Sequence, residues 1–493
     1  RVKERRPSSV LVLGAGGGEG VLRAVEGGAS SVVGVEVNPQ IIDLVERDYA
    51  DLSGSLYGRP GVEIVASDVR GFASRDKRVF DLVEVVAAGD YGGGGPALAS
   101  LSESFLLTVE ALGLYLDRVA PAGLLSLTSP VENPPRDTLK LAATAIEVLE
   151  RRGSDPPRHL AILRSWQTAT LLVSRRAITD DDVERLRRFA RERFFDLVAF
   201  PGMDAAEANR YNRLDRPWLH LGVRSLLGPD RDTFLAGYEF DVRPAFDDRP
   251  FFHQFFRWSS LGRILAVRDS GGMSLLEAGY LVLVMTLAQG VALAAILVLV
   301  PWWGLRRSAR GRRGHAPARR LVVFFAALGL GFLFLEVAYL QKLVLFLHHP
   351  VYSAAVVFAG LGSAASGLAR RRWGERDIPA AALGAAVLAA AALVAVRAVA
   401  PVVASSPAVV RVGVAVALIA PMAFAMGMPL PLGMARLRRR APGLVPWAWG
   451  VNGFASVVSP VLATLVAVHL GFGVVVLLGA AAYVVAAAAG SRL

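Results

Sequence analysis

The chain has 493 residues, is 54% hydrophobic, carries a formal net charge of +12 and contains no cysteine. Without cysteine there is no disulfide framework, no thiolate metal site and no cysteine nucleophile. The length allows two or more domains, and the densest basic runs stand between long apolar segments, so they read as membrane-flanking anchors rather than a nucleic-acid surface. No initiator Met or signal peptide precedes Arg1, so the sequence reads as a fragment or a processed product.

In chain order, the first predicted strand is residues 10–14, followed at once by the glycine run Gly14-Ala15-Gly16-Gly17-Gly18-Glu19-Gly20. Four apolar residues predict a buried parallel strand, and the glycines let the backbone turn into the N-terminus of a helix at 18–26. A second strand, 31–37, carries the acidic residue Glu36 near its end. A carboxylate there can accept both ribose hydroxyls of a nucleoside lying over the glycine turn. A helix is predicted at 39–47 and a third strand at 62–67, followed by Asp68 and Val69, where a carboxylate and a backbone amide can meet an adenine ring. The fourth strand, 80–86, contains Glu84, which needs an exposed strand end or a partner. It leads into the loop Gly89-Asp90-Tyr91-Gly92-Gly93-Gly94-Gly95-Pro96.

Helices at 100–119 and 137–152 flank a fifth strand at 123–128, and strands at 159–164 and 169–175 read as a terminal antiparallel hairpin. The alternation predicts an α/β fold, a parallel sheet with helices on both faces. A charged amphipathic helix follows at 179–195. Residues 200–260 are irregular and aromatic-rich, ending in a segment from Pro244 to Trp258 that reads as the junction between a soluble domain and a membrane. The organisation is therefore a nucleoside-binding domain over 1–178, an extension over 179–272 and a membrane domain over 273–493.

After residue 272 come seven apolar stretches, near 275–301, 321–347, 351–369, 378–403, 407–434, 446–469 and 471–490, each close to the roughly 20 residues that span a bilayer. Glu336, Tyr339, Gln341 and Lys342 share one stretch, and Arg397 and Asn452 lie in others. Such residues line a polar pocket or hold the bundle by interhelical hydrogen bonds. His348 and His349 have no further ligands nearby in sequence, and no metal centre is expected. Seven arginines between Arg306 and Arg320, with others at 370–372 and 436–440, follow the first, third and fifth spans. The rule that basic loops stay inside would put the soluble domain outside. An adenosyl co-substrate made in the cytoplasm argues for the reverse.

The glycine run, Val35-Glu36-Val37-Asn38-Pro39 and Ser67-Asp68-Val69-Arg70-Gly71-Phe72 resemble the spermidine synthase family, within the S-adenosylmethionine-dependent methyltransferases, over roughly residues 7–130. The whole chain also resembles bacterial membrane proteins that fuse such a domain to transmembrane segments, through Pro244, Asp247-Asp248-Arg249-Pro250-Phe251-Phe252, Gly427-Met428-Pro429-Leu430-Pro431 and Pro446-Trp447-Ala448-Trp449-Gly450-Val451-Asn452-Gly453. The resemblance implies a Rossmann-like methyltransferase fold and S-adenosylmethionine or its decarboxylated form as co-substrate. Gly14, Gly16, Gly18, Glu36, Asp68 and Val69 would hold it. Glu19 stands in the acidic position of the family's glycine signature. The family carries two Asp three positions apart after the fourth strand; here one is Asp90 and the other position holds Ala87.

The expected protein is thus an integral membrane transferase of a bacterial inner membrane. It would alkylate, by aminopropyl or methyl transfer, an amine or other nucleophile on a small-molecule or lipid-like acceptor, with Asp90 and Glu19 as candidate catalytic acids. Asp90 is equally readable as a turn residue before a glycine run. The competing expectation is a transporter-like bundle whose soluble domain only senses a nucleoside. A homodimer is left open beside a monomer.

Overall fold

In the computed structural model, the described residues are 7–86, 102–262, 278–308, 318–347, 350–361, 374–403 and 406–491. The chain divides into two compact units, Arg1–Tyr280 and Leu281–Leu493.

The first unit is built on one sheet of eight strands: β1 (Ser9–Leu13), β2 (Ser31–Glu36), β3 (Val62–Ala66), β4 (Phe80–Val85), β5 (Val119–Pro130), β6 (Leu160–Arg164), β7 (Thr168–Ser174) and β8 (Asp196–Ala199). Their order is β3-β2-β1-β4-β5-β7-β6-β8. Strands β1 to β5 are parallel. Strand β7 runs antiparallel to β5, β6 antiparallel to β7, and β8 antiparallel to β6. This is the expected Rossmann-like parallel sheet with a terminal antiparallel hairpin. Strand β8 is an addition: its four residues follow a charged helix and are too short a run to stand out in the sequence.

Alternate residues of each strand face opposite sides of the sheet. Val10, Val12 and Val32 pack with Val21 on the face covered by helix α1 (Glu19–Glu26). Leu11, Leu13, Val33 and Val35 point the other way, into a larger core with helices α2 (Val69–Arg75), α3 (Val109–Asp117) and α4 (Asp137–Arg151). Strand β1 is apolar from Val10 to Leu13 and β2 from Val32 to Val35, where both faces of the sheet are covered. The charged helix α5 (Asp180–Arg193) starts at a capping box in which Thr179 and Asp182 exchange side-chain and backbone hydrogen bonds.

The aromatic segment expected as a junction folds back into this unit. Phe240, Phe252 and Phe255 belong to the same core as β5 and α4. The backbone of Ser104 donates to Pro250 (2.7 Å) and that of Val109 to Ala245 (2.9 Å). Buried Lys140 of α4 donates to the carbonyls of Phe251 (3.1 Å) and Gln254 (2.7 Å), and lies over the Phe255 ring at 4.8 Å.

The second unit is helical. Among the described residues, six helices are long and apolar enough to cross a bilayer: Gly279–Ile296, Arg319–Leu347, Ile378–Ala400, Ala408–Arg440, Pro442–Leu470 and Phe472–Gly490. Seven were expected. The remaining one, near 351–369, is described only as the 12-residue helix Pro350–Leu361. The 407–434 stretch is broken: one helix ends at Met426, Gly427 caps it, and a second starts at Pro429, where a missing N–H costs nothing. Tyr339 donates to the Ala389 carbonyl (2.5 Å), Asn452 to Phe325 (3.1 Å) and Ser459 to Leu330 (3.0 Å), so these polar groups bond between helices. His348, His349 and the basic residues at 309–317 and 370–372 lie outside the described residues.

Candidate functional site

The site starts at the tip of β1. The amides of Gly14 and Ala15 both donate to the Val35 carbonyl, at 3.0 and 2.9 Å, which ties the glycine turn onto β2. Gly16 and Gly18 have φ of 51° and 93°, a region that an L side chain disfavours. Gly18 caps α1, and a Cβ there would fall 2.8 Å from Leu56 Cδ2. A Cβ at Gly16 or Gly17 would meet nothing within 4 Å. The turn therefore presents bare backbone to open space on one side, which is the room a ligand needs.

Glu36 ends β2 and its side chain folds back over this turn. One carboxylate oxygen accepts from the Gly16 amide (2.9 Å) and the other from the Asn38 amide (2.8 Å), while the residue is 6% exposed. Each carboxylate oxygen retains acceptor capacity beyond one hydrogen bond. Tyr57 closes the back of the turn by donating to the Gly16 carbonyl (2.6 Å). Burial, aided by the Glu36 charge, pushes its hydroxyl up to about 12, so it stays a donor at neutral pH.

Asp68 follows β3 and caps α2: one oxygen accepts from the Gly71 amide at 2.7 Å. Val69, the first residue of α2, is buried. The Ser67 amide donates to the Glu36 carbonyl (3.0 Å), which joins the ends of β3 and β2. Gly14, Gly16, Gly18, Glu36, Asp68 and Val69 thus converge at the carboxyl ends of three neighbouring strands. The sheet order reverses between β1 and β4, and that crevice is where ligands bind in open α/β sheets.

The candidate acids are placed differently. Glu19 lies in the first turn of α1 and pairs with Arg23 at 3.0 Å, with side-chain exposures of 80% and 55%. Arg23 also binds Glu84 at 2.8 Å, so of the two readings of Glu84 the structure gives the one with a partner. Such an exposed pair adds little stability. Asp90, its glycine loop and Ala87 lie outside the described residues.

A second charged group, not singled out in the sequence, stands beyond the carboxyl end of β5. Arg136 donates to both oxygens of Glu132, from Nε at 2.5 Å and Nη2 at 2.8 Å. Next to it, Asp137 is 1% exposed in its side chain and lies 3.3 Å from His253 Nδ1. Burial, with the neighbouring Asp137, lifts the Glu132 carboxyl to about 7 against the pull of Arg136. Burial also opposes ionisation of Asp137, but hydrogen bonds from His253 and Glu132 outweigh it and hold that carboxyl below its ordinary value. The sequence signal was weak: an acid just past a strand and a basic residue four positions on.

No protein-family model matches the chain, and no curated protein matches it. In structure it is similar to a probable spermidine synthase from Corynebacterium glutamicum ATCC 13032, with a TM-score of 0.29, 17% identity, and coverage of 37% of this chain and 62% of that one. A spermidine synthase from Thermotoga maritima gives a TM-score of 0.27, 18% identity, and coverage of 38% and 59%. A putative methyltransferase from Escherichia coli gives 0.23, 17% identity, and coverage of 34% and 78%. The chain spans about 60% of the length of the two synthases. The fold itself, a methyltransferase-type Rossmann-like sheet followed by a helical region with six candidate spans, is read from the strand order and the helices.

Proposed function

We propose that this chain is a membrane-anchored transferase that uses S-adenosylmethionine or its decarboxylated form. The observation that carries this reading is the buried Glu36 carboxylate, folded against the Gly16 amide beside a turn with open space around Gly16 and Gly17. In this reading Glu36 takes the ribose hydroxyls, the turn from Gly14 to Gly18 carries the rest of the nucleoside, and Asp68 with the Val69 amide meets the adenine. When bound, the sulfonium supplies an electrophilic carbon and a neutral thioether as leaving group. The protein's part is to orient the acceptor, exclude water from it and remove its proton. Glu19 and Asp90 keep, as proposals, the role of positioning the nucleophile. An Asp90→Asn chain that transfers at the wild-type rate would remove Asp90 from it.

Calorimetry on the purified full chain with S-adenosylmethionine and with the decarboxylated compound tests the reading. Binding of one of them is expected, and loss of that binding in Glu36→Ala. A wild-type chain that binds neither would end the proposal. Isotope transfer from the labelled co-substrate into a cell extract separates a transferase, which yields labelled product, from a domain that only senses a nucleoside. We further propose that the first unit faces the cytoplasm, where such co-substrates are made. Protease protection of residues 7–86 in right-side-out vesicles is expected, and cleavage there would reverse the orientation.

A further inference from the structure

We propose that the hollow between α5, β8 and the turn at 205–212 is a second binding site, for a phosphate ester. Arg191 and Arg210 take the phosphate, and Tyr211 covers the rest of the ligand. The site does not depend on the transferase reading. Strand β8 closes the sheet order five strand spacings from β1, roughly 24 Å, so the hollow is apart from the nucleoside turn.

The walls of the hollow are fixed by the fold. Asp196 opens β8 with a side chain that is 0% exposed and 3.2 Å from buried Arg164. Its carboxylate accepts from the amides of Arg210 (2.6 Å), Tyr211 (2.8 Å) and Asn212 (2.8 Å). Asn209, at φ 58°, accepts from the Leu214 amide (2.8 Å) and closes the turn. Arg210 and Tyr211 are therefore held in place by backbone that a buried carboxylate grips. Across from them, Arg187 and Arg191 stand one helical turn apart on α5, with buried Ala190 between them. Ala190, Phe195 and Leu197 give the hollow an apolar floor.

The charges around it do not balance. Arg187 is spent on Glu207, to which it donates from Nε at 2.8 Å and from Nη2 at 2.9 Å. Those hydrogen bonds, with the Arg210 charge nearby, hold the Glu207 carboxyl below its ordinary value. Arg191 reaches only Glu184, at 3.4 Å, with both side chains more than half exposed. Arg210 donates from Nε to the Ala206 carbonyl at 3.3 Å and forms no ion pair among the described residues. Two guanidiniums thus line the hollow with little carboxylate to offset them. A guanidinium matches the oxygens of a phosphate with two parallel hydrogen bonds. The hollow measures about 40 Å³, room for a small anion and not for a nucleoside. The rim is aromatic. Tyr211 is 40% exposed and meets Phe194 edge-on at 5.6 Å. Phe194 ends α5 at φ 56°, where glycine is favoured, yet its ring is 68% exposed. A strained residue whose ring gains so little burial within the chain points to a surface used for contact.

The test is calorimetry on the full chain in detergent, with phenyl phosphate and dihexanoyl phosphatidic acid as probes and phenol as the uncharged control. The wild type is expected to bind a phosphate probe and not phenol. The double change Arg191→Gln with Arg210→Gln should weaken that probe at least tenfold. Phosphatidic acid bound more tightly than phenyl phosphate assigns the site to a lipid head group; the reverse or equality assigns it to a soluble phosphate ester. No binding of either phosphate probe by the wild type, phenol bound as tightly as phenyl phosphate, or equal phosphate affinity in wild type and double variant would overturn the site. If the double variant melts earlier than the wild type, Arg210→Lys decides. It keeps the charge but loses the fork, and should weaken the phosphate probe several-fold; wild-type affinity there overturns the assignment.

Discussion

Arg70 and Asp247, 177 residues apart, meet in a two-pronged ion pair with hydrogen bonds of 2.6 and 2.7 Å. Arg70 is the second residue of α2, next to the proposed adenine contact, and Asp247 lies in the segment that returns to the first unit's core. Thr108, at the start of α3, donates to the same carboxylate at 2.6 Å, so three parts of the first unit are joined at one buried point.

Removing one partner of that pair leaves a buried charge without compensation. Asp247→Ala should destabilise the first unit by about 3–5 kcal/mol. The double change Arg70→Met with Asp247→Leu should cost less than either single change. Chemical unfolding of the full chain in detergent measures both, and additive losses would show that the two groups act independently.

Two glycines of the turn should fail in different ways. Gly18→Ala puts a Cβ on a residue at φ 93° and 2.8 Å from Leu56 Cδ2. It should lower stability by roughly 1–3 kcal/mol. Gly17→Ala meets nothing within 4 Å and should leave stability nearly unchanged while weakening the adenosyl ligand, because the added methyl enters the open side. Thermal unfolding and calorimetry on the same two variants separate these outcomes.

Glu36→Gln tests the sugar contact more finely than Glu36→Ala. Gln keeps one acceptor oxygen but replaces the other with a donor, which cannot satisfy both the Gly16 and Asn38 amides. Affinity should fall about tenfold or more, which is about 1.4 kcal/mol. An unchanged Kd would mean that the ribose is held elsewhere.

The raised carboxyl of Glu132 also has a consequence for stability. Its folded value of about 7 lies above the ordinary glutamate value of about 4.3, so between these the folded state binds the extra proton. Stability from this group is then full below about pH 4 and is lost as pH rises through about 7. The stability of the wild type relative to Glu132→Gln should therefore fall between pH 4 and pH 8. A constant difference across that range would contradict the burial that lifts the group.

In the second unit, Gly329 lets two helices approach closely, since a Cβ there would fall 2.7 Å from the Asn452 carbonyl oxygen. Gly329→Val should lower the thermal stability of the chain in detergent, whereas Val at Gly384, where a Cβ meets nothing within 4 Å, should not. Equal melting temperatures for the two variants would count against close packing at Gly329.

The parts of this molecule that were legible in the sequence are those set by local physics. Continuous apolar runs mark β1 and β2 because both faces of the parallel sheet are buried there. The glycine turn, Glu36 and Asp68 were legible because each sits at a strand end, where its position follows from the strand itself. The six candidate spans were legible because a bilayer demands a length of apolar chain. Other features depend on which distant segments become neighbours. Arg23 reaches Glu84 only because β1 lies beside β4, and Asp137 meets His253 only because the aromatic segment folds back onto α4. Ion pairs of that kind have no sequence period, since the energy that pairs them is released only after the core has brought the two segments together. Tertiary structure alone therefore decided that aromatic residues of the 240–256 segment belong to the first unit's core, and that Glu132 meets Arg136 beside the buried Asp137–His253 pair.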